Sequence, residues 1–146
     1  INVPLYFFAM DVKMHVIASA VLAALLYQSY GLWVLLVIVA GVILDIDHNI
    51  YFYYKKGHLS LRKCYRYCKY VTKNKKLEEV KNAIFIFHVI ELLIFFFVLG
   101  FFNRIFFLVF YGIMLHYILD IIYEMKDMGV IVKPYSLVYW LMKRKE

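Results

Sequence analysis

Residues 14–48, MHVIASAVLAALLYQSYGLWVLLVIVAGVILDIDH, decide the fold. Apart from His15 and Ser19, the run from Met14 to Leu44 is broken chiefly at Gln28, Ser29 and Gly31. It is too long for one comfortable membrane crossing and suits two short ones joined by a turn. If the chain doubles back at Gly31, His15 lies sixteen residues before the turn and Asp47 sixteen after it, so the two stand level. At 1.5 Å per residue both are ~24 Å from the turn.

The second half repeats the design. Apolar runs from Ala83 to Leu99 and from Ile105 to Tyr123 flank a break at Gly100, Asn103 and Arg104. With the tip near Phe102, His88 lies fourteen residues before and His116 fourteen after, ~21 Å from the turn on either side. The expected fold is therefore all-α: one integral membrane domain over residues 1–146, a four-helix bundle of two hairpins with spans near 14–29, 32–50, 83–99 and 104–123. A basic amphipathic cytoplasmic helix within the loop 55–81 connects the hairpins, and a short interfacial helix closes the chain.

Composition agrees with that reading. The chain is 65% hydrophobic with a mean hydropathy of +0.73, well above the ~45–50% apolar usage of soluble domains. The net charge of +7 would fit nucleic acid, but its placement argues against that partner. Ten of the 17 Lys and Arg residues fall between Lys55 and Lys81, while the two tight turns hold one cation, Arg104. The positive-inside rule then puts the middle loop and both termini in the cytoplasm. A cleavable signal peptide is not expected, because Asp11 and Lys13 interrupt the apolar stretch before Ala18-Ser19-Ala20 and no basic segment precedes it. Pro4 suits the start of a helix within Ile1 to Met10.

In the loop, Leu61, Cys64, Tyr65, Cys68 and Val71 recur at helical spacing, with Arg62, Lys63, Arg66, Lys69 and Lys73 between them. This predicts a helix in the headgroup plane, whose cations meet lipid phosphates. Arg62, Lys63 and Arg66 are candidates for gripping a substrate phosphate, against the plainer reading that they only fix orientation. The stretch Lys73 to Lys81 reads as a loose connection. Past Pro134, the segment from Tyr135 to Met142 ends in Lys143, Arg144 and Lys145, an interfacial anchor. Cys64 and Cys68 with His58 make an incomplete zinc set, lacking a fourth ligand.

Eight ionisable groups, His15, Asp45, Asp47, His48, His88, Glu91, His116 and Asp120, lie in or at the ends of the apolar runs. A charge at the centre of a bilayer helix costs at least ~2.5 kcal/mol, so groups retained there are candidates for function. The pairs His88/Glu91 and Asp45/His48 are i,i+3 and His116/Asp120 is i,i+4, so each pair projects from one helical face. Asp47 reaches the same centre only if its helix ends or loosens near Asp45. Such faces turned inward make an imidazole and carboxylate cage of the kind that holds dimetal sites in four-helix bundles. Eight donors suit two divalent ions, Zn, Mn or Fe. Two ions so placed activate water and clamp an oxyanion in phosphoester hydrolysis.

The segments HVIAS (15–19), GVILDIDH (41–48), FHVIE (87–91) and LHYILD (115–120) resemble the YdjM-like family of membrane-bound metal-dependent hydrolases, from Met14 to about Tyr123. The resemblance implies hydrolysis. The chain departs from the family pattern after His88, where Val89 stands in place of Ser or Thr and Glu91 follows, a candidate ligand or base particular to this chain.

The expected function is thus metal-dependent hydrolysis of an ester or phosphoester in a lipid or lipid-linked substrate at the cytoplasmic leaflet of the cell membrane. His15, Asp45, His48, His88, His116 and Asp120 would be metal ligands, and Glu91 or Asp47 would complete the set or act as general base. The alternatives are a metal-ion or proton transporter, which also needs intramembrane His and carboxylates, and a metal-stabilised scaffold that binds a membrane partner. A transporter needs a polar relay to the far side, and Val21 to Leu26 and Ile94 to Leu99 offer none.

Overall fold

The computed structural model describes residues 12–74, 85–129, 131, 133 and 135–143, and among these the chain is all-helical. The helix expected at Pro4, the loose connection from residue 75 onward and the terminal Arg144 and Lys145 lie outside the described residues.

Helix α1 (Val12–Tyr30) ends at Gly31, whose φ of 55° lies in the left-handed region that glycine enters without a steric cost. The chain passes through a 3-10 turn (Gly31–Val34) into α2 (Leu35–Ile43). A continuous span had been expected over 32–50. Instead, the helix breaks after Ile43 and restarts as α3 (Ile46–Lys56). Then come α4 (Leu61–Lys73), a 3-10 turn (Ile86–His88), α5 (Ile90–Phe102), α6 (Ile105–Met128) and α7 (Leu137–Lys143). The span expected at 83–99 becomes a turn followed by 13 helical residues, because Val89 is extended, with φ −106° and ψ 139°.

The run Val12–Lys56 and the helix Ile105–Lys126 are long and apolar enough to cross a membrane, and Ile90–Phe102 is a shorter apolar helix. α2 packs against α1 and, most extensively, against α6, which also carries α5. Near the first turn the interior is Ala23, Val34, Val37 and Leu108. Deeper along the helices, Ala40, Leu44, Ile113 and Tyr117 pack with Leu92, Leu93 and Phe96. The α2/α6 approach is backbone-close: a Cβ on Gly112 would lie 2.5 Å from the Val37 carbonyl oxygen and 2.9 Å from Ala40 Cβ. Small residues at a helix crossing permit such contact. The outer faces are apolar, with Leu25, Val39, Ile94, Val98, Ile118 and Ile122 exposed.

Candidate metal centre

The centre begins with a change of helical winding. Past Ile43, Asp45 N–H donates to Val42 O (3.2 Å), Asp47 N–H to Leu44 O (3.1 Å) and His48 N–H to Asp45 O (3.2 Å). These are three-residue steps, which tighten the turn relative to an α-helix. Both Asp45 and Asp47 are consequently buried, although two residues apart in an unbroken helix they would face opposite sides. Asp45 N–H takes Val42 rather than Gly41 as its acceptor, and His116 Nδ1 donates to the Gly41 carbonyl at 2.7 Å.

Six side chains converge around that turn. His15 comes from α1, Asp45 and His48 from the break and α3, His88 from the second 3-10 turn, and His116 and Asp120 from α6. They form three overlapping triads, His15/His116/Asp120, Asp45/His88/His116 and His48/His88/Asp120, each with ligand atoms within 4.8 Å of one another. The Asp120 carboxylate joins two of them: Oδ1 lies 3.3 Å from His15 Nε2, and Oδ2 lies 3.4 Å from His88 Nε2 and 3.7 Å from His116 Nε2. Asp45 Oδ1 is 3.9 Å from both His48 Nε2 and His116 Nε2. The His15 and His116 rings stack at 4.0 Å. All six groups are buried.

Hydrogen-bond partners fix which ring nitrogens carry protons. The Gly41 carbonyl can only accept, so His116 is protonated on Nδ1. Asp47 Oδ2 accepts the Phe87 backbone N–H and also His88 Nδ1 at 3.2 Å, so His88 too is protonated on Nδ1. Yet His88 Nε2 and His116 Nε2 face each other at 3.0 Å. With both rings neutral, each presents a lone pair to the other. A cation beside them, or one further proton on the pair, is needed to make this arrangement favourable. Donor atoms around a single ion are separated by roughly 3.0 to 3.4 Å when bonds to it are ~2.1 Å.

The same site collects the unmet polar groups. Among the described residues, His15 Nδ1, Asp45 Oδ2 and His48 Nε2 are buried side-chain atoms with no hydrogen-bond partner, and each belongs to one of the six residues. Native interiors satisfy the large majority of such atoms, so orphans gathered in one place call for a ligand. The donor set, nitrogen and oxygen without thiolate, fits a divalent ion.

The other expected site residues stand elsewhere. Asp47 does not join a triad; it holds His88 by Nδ1, as a carboxylate behind a metal-ligating histidine does. Glu91, expected as ligand or base, is not brought into the cluster. Its carboxylate accepts Ser136 Oγ–H (2.7 Å) and the backbone N–H groups of Leu137 (3.1 Å) and Val138 (3.2 Å), because the i,i+3 relation to His88 is lost where Val89 is extended. Arg62, Lys63 and Arg66 are exposed on α4 while the centre is buried. Cys64 Sγ–H donates to the His48 carbonyl at 3.3 Å, and His58 Nδ1 meets the Lys56 carbonyl on the surface.

Sequence reasoning missed Lys133. Its Nζ is buried 2.6 Å from Asp120 Oδ2 and 3.6 Å from Glu124 Oε1. Burial disfavours the ammonium, but the Asp120 and Glu124 carboxylates outweigh it, and the pKa is raised above the ordinary lysine value. The available signal was a single cation within Gly129-Val-Ile-Val-Lys133-Pro-Tyr135, an otherwise apolar stretch. Tyr135 next to it donates to Glu124 Oε1 (3.3 Å), accepts Ile90 N–H on its carbonyl (2.7 Å), and has its phenol pKa pushed up by burial. Tyr117 was also missed; its hydroxyl lies 3.0 Å from the Phe87 carbonyl and 2.7 Å from that of Val89, so it braces the turn bearing His88.

No protein-family model, curated protein or solved structure matches this chain.

Proposed function

We propose that the chain is an integral membrane protein whose helices form two hairpins of a four-helix bundle with both termini cytoplasmic. In this reading the buried cluster is a divalent-metal centre that hydrolyses an ester or phosphoester of a lipid or lipid-linked substrate entering from the inner leaflet. Membership of the YdjM-like family is part of the proposal and rests on the four quoted segments.

The metal reading is carried by the pair of proton-free nitrogens, His88 Nε2 and His116 Nε2, at 3.0 Å. Three orphaned polar atoms around them, His15 Nδ1, Asp45 Oδ2 and His48 Nε2, support it. Membrane placement is supported by the exposed apolar faces of all the long helices, since soluble proteins rarely expose large contiguous apolar surface. A one-sided catalyst is favoured over a transporter by the apolar packing of Ala23, Val34, Val37 and Leu108 toward the first turn, where a conducting path would need polar groups.

A bound divalent ion supplies Lewis-acid activation of water and of the ester or phosphoryl oxygen. The protein's own groups set the rest. Asp47 and the Gly41 carbonyl fix the tautomers of His88 and His116, so that both direct Nε2 inward. Asp45 Oδ2, which has no partner, is placed to take the proton of an attacking water. The basic face of α4 gathers anionic headgroups near the site.

Elemental analysis of the purified protein tests the metal reading: bound Zn, Mn or Fe in the wild type and its loss in a folded His116→Ala variant. An unchanged metal content, or none in the wild type, leaves the pair explained by an extra proton shared between His88 Nε2 and His116 Nε2 beside the Asp120 carboxylate. Chelator-sensitive hydrolysis across a panel of phospholipids and lipid phosphates tests the reaction, and metal-dependent flux in proteoliposomes would replace it with transport.

A further inference from the structure

Asp120 is positioned as a bridge, one oxygen toward His15 and the other toward His88 and His116. In a dinuclear site such a carboxylate spans two ions about 3.5–4 Å apart. Here Oδ2 is already taken by a positive charge: Lys133 Nζ lies at 2.6 Å, closer than any imidazole nitrogen, and is buried with it. A second ion on Oδ2 would have to expel that ammonium into an interior where Glu124, at 3.6 Å, is its other carboxylate partner. Of the three triads, Asp45/His88/His116 is the one that does not draw on Asp120, and it holds both proton-free nitrogens.

We propose that the centre takes one divalent ion, at Asp45, His88 and His116, and that Lys133 is its built-in second cation, standing on Asp120 where a dinuclear hydrolase would carry another metal. The inference rests on the metal reading above and replaces the expectation of two ions. It also names the substrate class. Lys133 Nζ sits on the Asp120 oxygen that neighbours His88 and His116, and an ammonium beside a divalent ion suits a group with two anionic oxygens, so the substrate is a phosphoester rather than an acyl ester. Lys133 is brought there by the chain after α6, which is pinned just beyond Lys133 by Tyr135 on Ile90 and Ser136 on Glu91.

The test is metal stoichiometry of the full chain in nanodiscs, equilibrated with Zn²⁺ or Mn²⁺ and counted by elemental analysis. The wild type is expected to hold about one ion per chain, Lys133→Arg about one, and Lys133→Met about two. A wild-type count of about two overturns the proposal, as does a folded Lys133→Met protein that still binds about one ion with wild-type affinity. A wild type with no ion overturns the metal reading itself, which separates the two failures. The wild-type count stands even if Lys133→Met loses its helical circular dichroism. As a second readout, inorganic phosphate should bind the metal-loaded wild type at least about tenfold more tightly than metal-loaded Lys133→Met, as loss of a charge-assisted contact of ~1.4 kcal/mol or more requires. Equal phosphate affinity in the two removes the substrate assignment.

Discussion

Glu91 and Ser136, 45 residues apart in the chain, share a 2.7 Å hydrogen bond, and the same carboxylate receives the first backbone N–H groups of α7. An anion at a helix start meets both unpaired donors and the positive end of the helix dipole. Glu91 therefore fastens the C-terminal segment to the start of α5. Glu91→Ala is expected to weaken that attachment by about 1 kcal/mol, given its partial exposure. Amide exchange at Leu137 and Val138 should accelerate several-fold while metal content stays at the wild-type level; loss of metal instead would return Glu91 to the centre.

Asp47 and His116 are expected to differ in kind. His116→Ala removes a donor atom and should abolish metal retention. Asp47→Asn leaves every triad intact but loosens the His88 ring, so metal affinity should fall by roughly 10–100-fold without vanishing. Equilibrium dialysis distinguishes the two, and equal losses would show that Asp47 binds directly.

Gly112 is where α6 meets the α2 backbone. Gly112→Val must push the helices apart, because its nearest obstacle, the Val37 carbonyl oxygen at 2.5 Å from a Cβ, is not a movable side chain. Destabilisation of about 1–3 kcal/mol is expected. Metal affinity should drop as well, since His116 lies one turn further along α6. A thermal melt followed by metal titration checks both, and an unchanged midpoint refutes the close crossing.

Tyr117→Phe deletes a hydroxyl that reaches two carbonyls bracketing His88. A stability loss of about 1 kcal/mol is expected, from carbonyls left unpaired in a buried place. Chemical-denaturant unfolding measures it, and a neutral result would mean that water replaces the hydroxyl.

The sequence disclosed the all-helical character and the apolar helices because apolar runs are local properties. It also pointed to the six clustered residues, since an ionisable group in an apolar run stands out against its neighbours. What stayed hidden depended on backbone outside regular helix. The extended Val89 rotates Glu91 away from His88, and the same i,i+3 spacing would have held them together in a helix. The tightened turn at Asp45 does the reverse and brings in two acids that helical geometry separates. Lys133 was hidden because its partner Asp120 lies 13 residues away across a turn that no period describes.

The Gly41 carbonyl sets the tautomer of His116, and that oxygen belongs to the peptide unit rather than to any side chain. Replacing Gly41 keeps that oxygen and disturbs its surroundings instead, since a Cβ there would run into the buried Ser19 hydroxyl. The determinant of which imidazole edge is basic can be edited only by changing the winding around it, for instance by inserting or deleting one residue between 42 and 44. Relatives of this protein should therefore keep both the glycine at this position and the length of the turn that follows it.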